Sequence, residues 1–480
     1  ALSSKRNSNP PAASILGALW AAPIVPIKSP TGEYYSMPTF QRAQVGNPVA
    51  ALERADRTSI NKGYRVTGNV FAEFKFLQNF TFKSTFYTDL SFNGARGYNP
   101  LAPRYINLGE GTVPTDTTRD NSVRTGVFQN QANFRTFQQD HVLNFDKTIN
   151  SDHRLGVTAG FTTLYRDNQS LSGNRTDTSL IIPNQQQYYY LGISGANNPG
   201  TYGGGGDVES FMSYFGRVTY AYQNKYLLNA TFRRDGNSKY ASNQRWNNYG
   251  GVGVGWVVSE EGFFNDVKFL DYLKVRASYG TVGNGLGIGS FTYANVIPSG
   301  VGIFGPNIYP SVAPSYDPDP NLKAEVVKGT DVGLELRTLS NRLNFELTFY
   351  QRKTENILTG ISRPGTTRTF FTNAGTIENR GIELALGFAD KIGQDFTYRI
   401  SANGSYNKNE VVSIGRDINF QLVGNGGVNL TTTGQSIGYF YGYKQVGIYQ
   451  TTADLDKMPH FRNSLPGDIA YEDVNGDGIL

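Results

Sequence analysis

The chain has no cysteine, only three histidines, and few charged residues for its 480 positions. Without cysteine it can form no disulfide framework, thiolate metal site or cysteine nucleophile. His141, His153 and His460 are far apart in sequence, which argues against a histidine-based metal or catalytic centre. Charged residues make up 17%, the formal net charge is +5, and no dense block of lysine and arginine is present. We therefore predict a protein that is not an enzyme and binds no nucleic acid.

The sequence also lacks any apolar run of about 18 residues, the length that a membrane-spanning helix needs. It is instead rich in glycine (55 residues), tyrosine (30) and phenylalanine (30). Glycine favours turns, and aromatic residues suit a pleated, half-buried surface. Strands that alternate lipid-facing and water-facing residues have low mean hydropathy even inside a membrane, so a β-barrel remains possible.

Apolar and polar residues alternate with a period of two along much of the chain. Apolar or small residues take every second position in 64–76 and again in 80–92, and mostly polar residues lie between them. The same alternation recurs in 154–166, 226–233, 343–352 and 396–407. Successive residues of a strand face opposite sides, so each segment is predicted to be a strand with one apolar face. We expect roughly a dozen strands, each at or above the ~9–11 residues that cross a bilayer.

The connections between these segments alternate in length. Tight links are predicted at 77–79, 150–153, 223–225, 340–342 and 390–394, with a somewhat longer link at 260–269. Long polar stretches are predicted at 93–123, 167–207, 283–325 and 413–437, with shorter ones at 241–245 and 359–366. Short turns on one side and long loops on the other are typical of outer-membrane barrels.

The predicted fold is therefore all-β, a large antiparallel transmembrane β-barrel. Residues 58–480 are expected to form strands with long extracellular loops, and residues 1–57 a long irregular segment within the barrel region. A series of soluble β-sandwich domains is the alternative. Strands longer than the usual ~5–6 residues of globular sheets and the long loops argue against it.

Several local motifs have simple structural interpretations. The glycine-rich stretches 251–256 and 283–287 lack the βαβ context of a nucleotide site, and the first is predicted to be a strand with alternate glycines. The glycine run 203–206 is predicted to be a flexible loop tip, and Glu260 and Glu261 to be solvated turn residues. The tyrosines at 188–190, with Tyr439, Tyr441 and Tyr443, either stack on sugar rings or belong to an interfacial aromatic girdle.

Residues 473–478 match the first six positions of a calcium-binding loop. Asp473, Asn475 and Asp477 place side-chain oxygens at alternate positions, and Gly478 permits the sharp turn. The backbone carbonyl of Ile479 would be the next ligand. The alternative is an Asx-rich turn without metal. Calcium is the only cofactor that the sequence suggests.

Five stretches resemble the SusC/RagA family of TonB-dependent outer-membrane transporters from Bacteroidetes. They are 213–218, 226–236, 273–280, 379–384, and 466–469 running into 473–478, in the order found in the family. The resemblance implies a barrel of about 22 strands with an N-terminal plug, of which this chain would be a fragment without the plug. It also implies a SusD-like surface lipoprotein as a lid, and energy supplied through the TonB–ExbB–ExbD complex.

The expected function is active import of an oligosaccharide or peptide, in a barrel surrounded by outer-membrane lipids. The signal peptide, TonB box, plug and closing strands of the family pattern are absent, and we expect them outside this segment. The alternatives are a siderophore receptor or a passive porin on the same fold, or a secreted β-sandwich adhesin or glycan-binding protein.

Overall fold

A computed structural model describes most of the chain. The described residues are 2–6, 17–39, 46–55, 58–101, 103–108, 114–119, 125–176, 185–192, 200–284, 299–312, 316–362, 368–415, 420–423 and 428–478. Ile479, the fourth predicted calcium ligand, lies outside them, as do residues 285–287 of the second glycine-rich stretch.

The described residues are dominated by strands, with short helical elements between them. The strands are β1 (Leu2–Arg6), β2 (Tyr34–Tyr35), β3 (Ser59–Phe76), β4 (Phe80–Asn99), β5 (Arg104–Leu108), β6 (Pro114–Arg119), β7 (Gly126–Ile149), β8 (His153–Thr176), β9 (Thr201–Tyr222), β10 (Tyr226–Asn237), β11 (Trp246–Val257), β12 (Leu270–Asn284), β13 (Ser299–Phe304), β14 (Asn307–Val312), β15 (Tyr316–Asp317), β16 (Glu325–Thr338), β17 (Leu343–Ser362), β18 (Thr369–Ile392), β19 (Phe396–Ser413), β20 (Phe420–Val423), β21 (Asn429–Thr432), β22 (Tyr439–Phe440), β23 (Gln445–Ile448) and β24 (Ile469–Tyr471). The helices include α1 (Pro48–Ala55) and α2 (Thr452–Leu455), residues 17–20 are also helical, and 3-10 turns lie at Gln186–Tyr188, Val258–Glu260 and Gly262–Phe264.

The long strands are hydrogen-bonded in the order β1-β3-β4-β7-β8-β9-β10-β11-β12-β16-β17-β18, and β19 also pairs with β18. Short strands pair apart from them, as β2-β5-β6, β13-β14, β20-β21-β22 and β23-β24. The two-residue strand β15 runs parallel to β18. Apart from β1 and β15, 12 strands make up the main sheet of the described residues, which confirms the predicted number.

By its contacts the chain divides into two compact units. One comprises residues 1–145, 158–215 and 235–238, and the other residues 146–157, 216–234 and 239–480. In the first, β3 pairs with β4 and β4 with β7 without a register shift. In the second, β11, β12, β16, β17, β18 and β19 pair antiparallel in sequence.

The predicted tight links lie within three residues of the observed ones, at 77–79, 150–152, 223–225, 339–342 and 393–395. Two successive residues in several of them have left-handed backbone. The pairs are Leu77 and Gln78 (φ 47° and 61°), Asn150 and Ser151 (49° and 62°), and Gln223 and Asn224 (50° and 54°). Left-handed turns match the right-handed twist of hairpin strands, which explains why these links are so short.

Several predicted loops are wrong because the strands continue into them. Strand β4 runs to Asn99, and the hairpin β5–β6 lies within the predicted loop 93–123. Strand β8 extends to Thr176, and β9 begins at Thr201, so the glycine run 203–206 is strand rather than a loop tip. Backbone pairing with β8 holds these glycines in an extended strand, although a run of four glycines by itself favours a flexible loop.

The apolar rows do not form a water-soluble core. Val70, Phe74, Phe86, Phe232 and Ile400 are among many alternating apolar residues that remain exposed. The buried clusters are small and lie elsewhere. One of them consists of Tyr449, Leu455 of α2 and Ala470. Packed β-sandwiches bury such rows between two sheets, so the sandwich alternative is wrong.

Residues 1–57 were predicted to be irregular. Within their described part, β1 pairs with β3 and the Asn47 side chain caps α1 by accepting the backbone N–H of Ala50 at 3.1 Å. The predicted boundary at residue 57 stays a prediction. None of the described helices has the length and apolar character that spanning a membrane requires.

Candidate functional site: the polar strand face

The strand registers bring charged residues of the second unit together on one face of the sheet. Arg276 lies opposite Gly333 of β16, which lies opposite Thr348 of β17. Two residues along β12, Ser278 lies opposite Asp331. Because alternate residues share a face, this surface carries the polar half of every strand pattern; we call it the polar face.

Arg276 joins three strands of the polar face. Its Nη2 donates to Glu346 Oε1 and to Thr348 Oγ1, both at 2.8 Å, and its Nε lies 3.2 Å from Glu335 Oε1. Lys274 Nζ donates to the same oxygen of Glu335 at 3.1 Å. Glu335 thus has basic partners on the adjacent strand β12, and Glu346 has one two strands away, which fixes side chains that would otherwise be mobile in water.

Glycine makes room for this arginine. A Cβ atom at Gly333 would lie 2.7 Å from Cζ of Arg276, closer than side chains tolerate. The Arg276 guanidinium therefore lies close to the β16 backbone, in space that the side chain of any other residue would occupy. The same arrangement recurs at Gly329, where a Cβ would lie 3.0 Å from Nη1 of Arg352.

A shallow groove of about 350 Å³ crosses the polar face. Its lining includes Asn229, Thr231, Gly251, Gly253, Ser278, Asp331 and Arg352. Residues 251–256 are strand β11, as predicted, and its alternate glycines leave the groove open. Arg352 Nη2 donates to Asp331 Oδ1 at 2.7 Å, which places a charged pair beside it. Neutral donors and acceptors next to a fixed ion pair suit a polar solute.

The first unit has a polar face of the same kind. Arg65 donates to both carboxylate oxygens of Asp89, at 2.8 and 2.5 Å. Asp140 accepts hydrogen bonds from Gln138 and from Thr162, the latter at 2.7 Å. Cross-strand pairs of this type hold the strand register.

The opposite face of the second unit is apolar. One row across the sheet runs through Val254, Ala277, Val332, Phe349, Ile382 and Tyr406, each residue opposite the next. All of these except Ala277 are exposed large side chains. An exposed apolar row of this length needs lipid or a partner to cover it.

Aromatic residues collect where the strands meet their tight turns. Tyr226 and Trp256 both donate to Oε1 of Glu261, at 2.6 and 3.1 Å, and Lys225 lies 3.6 Å from the other oxygen. The prediction that Glu261 is a merely solvated turn residue is therefore wrong. The Tyr226 hydroxyl and then the Trp256 indole lower the pKa of Glu261, because both hydrogen bonds favour its charged form. Rings with a polar tip suit a membrane interface.

The tyrosines named in the sequence analysis differ in exposure. Tyr189 is fully buried and stacks on Tyr98 at 6.2 Å, so it cannot contact a sugar. Tyr190 is 46% exposed, with the Arg96 guanidinium 4.1 Å from its ring centre. Tyr441 and Tyr443 are exposed but lie outside the long strands, which leaves sugar stacking open for them.

The predicted calcium loop is a compact Asx turn. Asp473 accepts the backbone N–H groups of Gly476 and Gly478, both at 2.7 Å, and these bonds lower the pKa of its carboxyl. Asn475 donates to Asp477 Oδ2 at 2.8 Å. In the described residues no group of three or more His, Cys, Asp or Glu side chains could hold a metal. The residues nevertheless fit a hard cation, because carboxylate, amide and backbone carbonyl oxygens are the ligands that calcium prefers.

The sequence model described as "TonB dependent receptor-like, beta-barrel" matches residues 25–475. The chain belongs to this family. A TonB-dependent receptor of Formosa agariphila is 27% identical over 91% of the chain and 40% of that relative. The TonB-dependent receptor SusC of Bacteroides thetaiotaomicron is 28% identical over 57% of the chain and 27% of SusC. The chain thus spans less than half the length of these curated relatives.

Among solved structures, the RagAB peptide importer in its "open-open" state superposes with a TM-score of 0.69 at 19% identity. The match covers 89% of this chain and 45% of that one. At this identity the likeness shows the fold, which is that of an outer-membrane β-barrel.

Family membership orients the two faces of the strands. In such barrels the apolar face meets lipid and the polar face lines a water-filled interior. The apolar row through Phe349 therefore faces the outer-membrane lipid, and the groove beside Asp331 faces the barrel interior. The family consists of transporters rather than enzymes, as the lack of a catalytic constellation predicted.

Proposed function

We propose that the full-length protein actively imports a nutrient, an oligosaccharide or a peptide, across the outer membrane. A SusD-like lipoprotein would cover its extracellular loops, and the TonB–ExbB–ExbD complex would supply energy. The polar groove on the interior-facing side of the strands carries this proposal, because a solute crossing the barrel must pass polar surface of this kind. Family membership and the likeness to SusC and RagAB support it.

Substrate is proposed to contact the groove beside Arg352 and Asp331. A fixed ion pair next to amide and hydroxyl groups can hydrogen-bond sugar hydroxyls or peptide groups alike. Asp331 and Arg352 are the charged residues in the lining of the groove, so the groove is neutral overall. We therefore expect neutral or zwitterionic substrates rather than strongly charged ones.

Filling the groove tests this assignment. Gly253→Leu adds a side chain over the groove, where a Cβ at Gly253 has its nearest neighbour at an ordinary 3.5 Å. Val254→Leu, one residue along on the lipid-facing side, is the matched control. Uptake of labelled oligosaccharides and peptides by a deletion strain carrying each variant should fall with Gly253→Leu alone. Equal uptake by the two variants would remove the groove from the path.

The same strains separate the rival functions. TonB-independent uptake would identify a porin, and loss of growth only under iron limitation would identify a siderophore receptor. Co-purification with a surface lipoprotein tests the lid, since a barrel that works alone would yield none.

We also propose that residues 473–479 bind calcium. Asp473, Asn475 and Asp477 would supply side-chain oxygens and Ile479 its carbonyl oxygen. Terbium, which occupies calcium sites and is sensitised by nearby tyrosine, gives a direct readout through Tyr471. We expect calcium-competed luminescence that Asp473→Ala abolishes. Luminescence unchanged by Asp473→Ala would leave the loop as a metal-free turn.

A further inference from the structure

Four adjacent strands of the second unit carry a band of charges on their lipid-facing side. It lies directly beyond the apolar row through Val332 and Phe349, toward the long-loop ends of the strands. Two register rows form it: Lys328, Lys353, Glu378 and Glu410, then Thr330, Gln351, Arg380 and Lys408. We call these two rows, together with Glu355, the charged band.

Every acidic residue of the charged band is paired with a base. Lys408 lies 3.4 Å from Glu410, and Arg380 contacts Glu378. Glu355 lies between two lysines, 2.6 Å from Lys328 and 3.1 Å from Lys353. The acids therefore hold the bases in place, and four bases against three acids leave one positive charge in excess.

The bases, not the acids, form the outer surface. The Lys408 side chain is 66% exposed and that of Glu410 is 38% exposed. For Arg380 and Glu378 the values are 65% and 10%. Lys328 and Lys353 are likewise more exposed than Glu355. An approaching group meets cationic donors first, while the carboxylates lie behind them.

The band lies at the height of lipid headgroups. Arg380 and Lys408 each lie 12 residues from the strand end at the tight turn, Ile392 and Phe396. With a rise of about 3.3 Å per residue and a tilt of about 40°, that distance corresponds to about 30 Å along the membrane normal. The apolar band of such barrels is about 25 Å tall. Tight turns lie on the periplasmic side, so these bases reach the outer leaflet.

We propose that the charged band binds the phosphate groups of outer-leaflet lipid. Arginine and lysine pair with phosphate through charge-assisted hydrogen bonds, and arginine does so with two parallel donors. The apolar row through Phe349 and Ile382 lies immediately below and would take the acyl chains of the same molecule. This continuity of cationic and apolar surface favours a phosphate-bearing lipid over a soluble anion.

The test uses the full-length protein folded in detergent and three added probes. These are diphosphoryl lipid A, a phosphate-free lipid of equal chain length, and inorganic pyrophosphate. Binding is followed through the unfolding temperature and by phosphorus analysis of the delipidated and reloaded protein. Arg380→Gln combined with Lys408→Gln should weaken lipid A binding about 30-fold, since each base near an anionic surface contributes roughly a factor of five. Lys75→Gln, on the polar side of β3 near a tight turn, should leave it unchanged.

One further variant and a folding control keep the result interpretable. Arg380→Lys combined with Lys408→Arg conserves charge and should retain binding, while a change in gel mobility between unheated and heated samples reports an intact barrel. Equal affinity of the parent and the double glutamine variant for lipid A would overturn the proposal. So would equal affinity for the phosphate-free lipid, and stabilisation by pyrophosphate alone would replace the lipid with a soluble anion.

Discussion

Replacing Gly333 by alanine tests whether the polar face depends on close approach of arginine to the strand. An added Cβ would lie 2.7 Å from Cζ and 2.8 Å from Nε of Arg276, so the guanidinium must move. It cannot move without lengthening its hydrogen bonds to Glu346 and Thr348, both 2.8 Å. The destabilising effect of the substitution should therefore act through the arginine.

The two effects of this substitution have opposite signs. Hydrogen bonds to charged groups contribute about 1.5–3 kcal/mol when buried; the Arg276 side chain is 30% exposed, so we take about 1 kcal/mol for the pair. Alanine in a strand interior is favoured over glycine by about 0.5–1 kcal/mol. Gly333→Ala should be neutral to destabilising by up to about 0.5 kcal/mol in the parent protein. In an Arg276→Met background only the favourable part remains, and the substitution should stabilise by about 0.5–1 kcal/mol.

The measurement is a urea titration of the full-length protein folded in lipid vesicles, followed by gel mobility. The double-mutant cycle compares the parent, Gly333→Ala, Arg276→Met and the double variant. It gives the coupling free energy between the two positions, which we expect to be about 1 kcal/mol. A Gly333→Ala effect that is the same in both backgrounds would refute the reasoning. The glycine would then reflect strand geometry and not room for Arg276.

Three further predictions follow from the two faces and the loops. Leu386→Arg on the lipid-facing side should destabilise the folded barrel in vesicles by about 2–4 kcal/mol, while Ala385→Arg on the polar side should change the same urea midpoint little. Gly160→Val should destabilise by about 1–3 kcal/mol, because a Cβ there lies 2.1 Å from the Phe215 ring, and this loss should largely disappear in a Phe215→Ala background. The folded pKa of Asp473 lies below its unfolded value, so its contribution to the turn is present above the unfolded pKa and is lost as pH falls through the folded pKa. Proteolysis at 473–478 should accelerate with acid in the parent and be equally fast at all pH values in Asp473→Ala.

The sequence predicted strands and tight turns well because both depend on local chemistry. Alternation in 64–76 defines the two faces of β3 without any knowledge of its neighbours. Loops were predicted less well, since β8 and β9 continue through stretches whose composition favours loops. Residues 203–206 show why: four glycines have no intrinsic strand preference, and only the carbonyl groups of β8 beside them determine their conformation.

The polar face could not be predicted because its contacts join residues far apart in sequence. Arg276 and Glu346 are 70 positions apart, and they meet only because the registers of β12, β16 and β17 align them. Once a pairing is known, the side of the sheet that each residue faces follows from its position in the strand. A shift of one residue in β16 would carry Glu335 to the lipid side and Leu334 to the interior. The charges of the interior therefore specify register, and a variant that removes them should be judged on stability as well as on the uptake proposed above. Glycine, rather than a larger residue, lies beneath the arginine that connects three strands because a Cβ there would lie 2.7 Å from Cζ of Arg276.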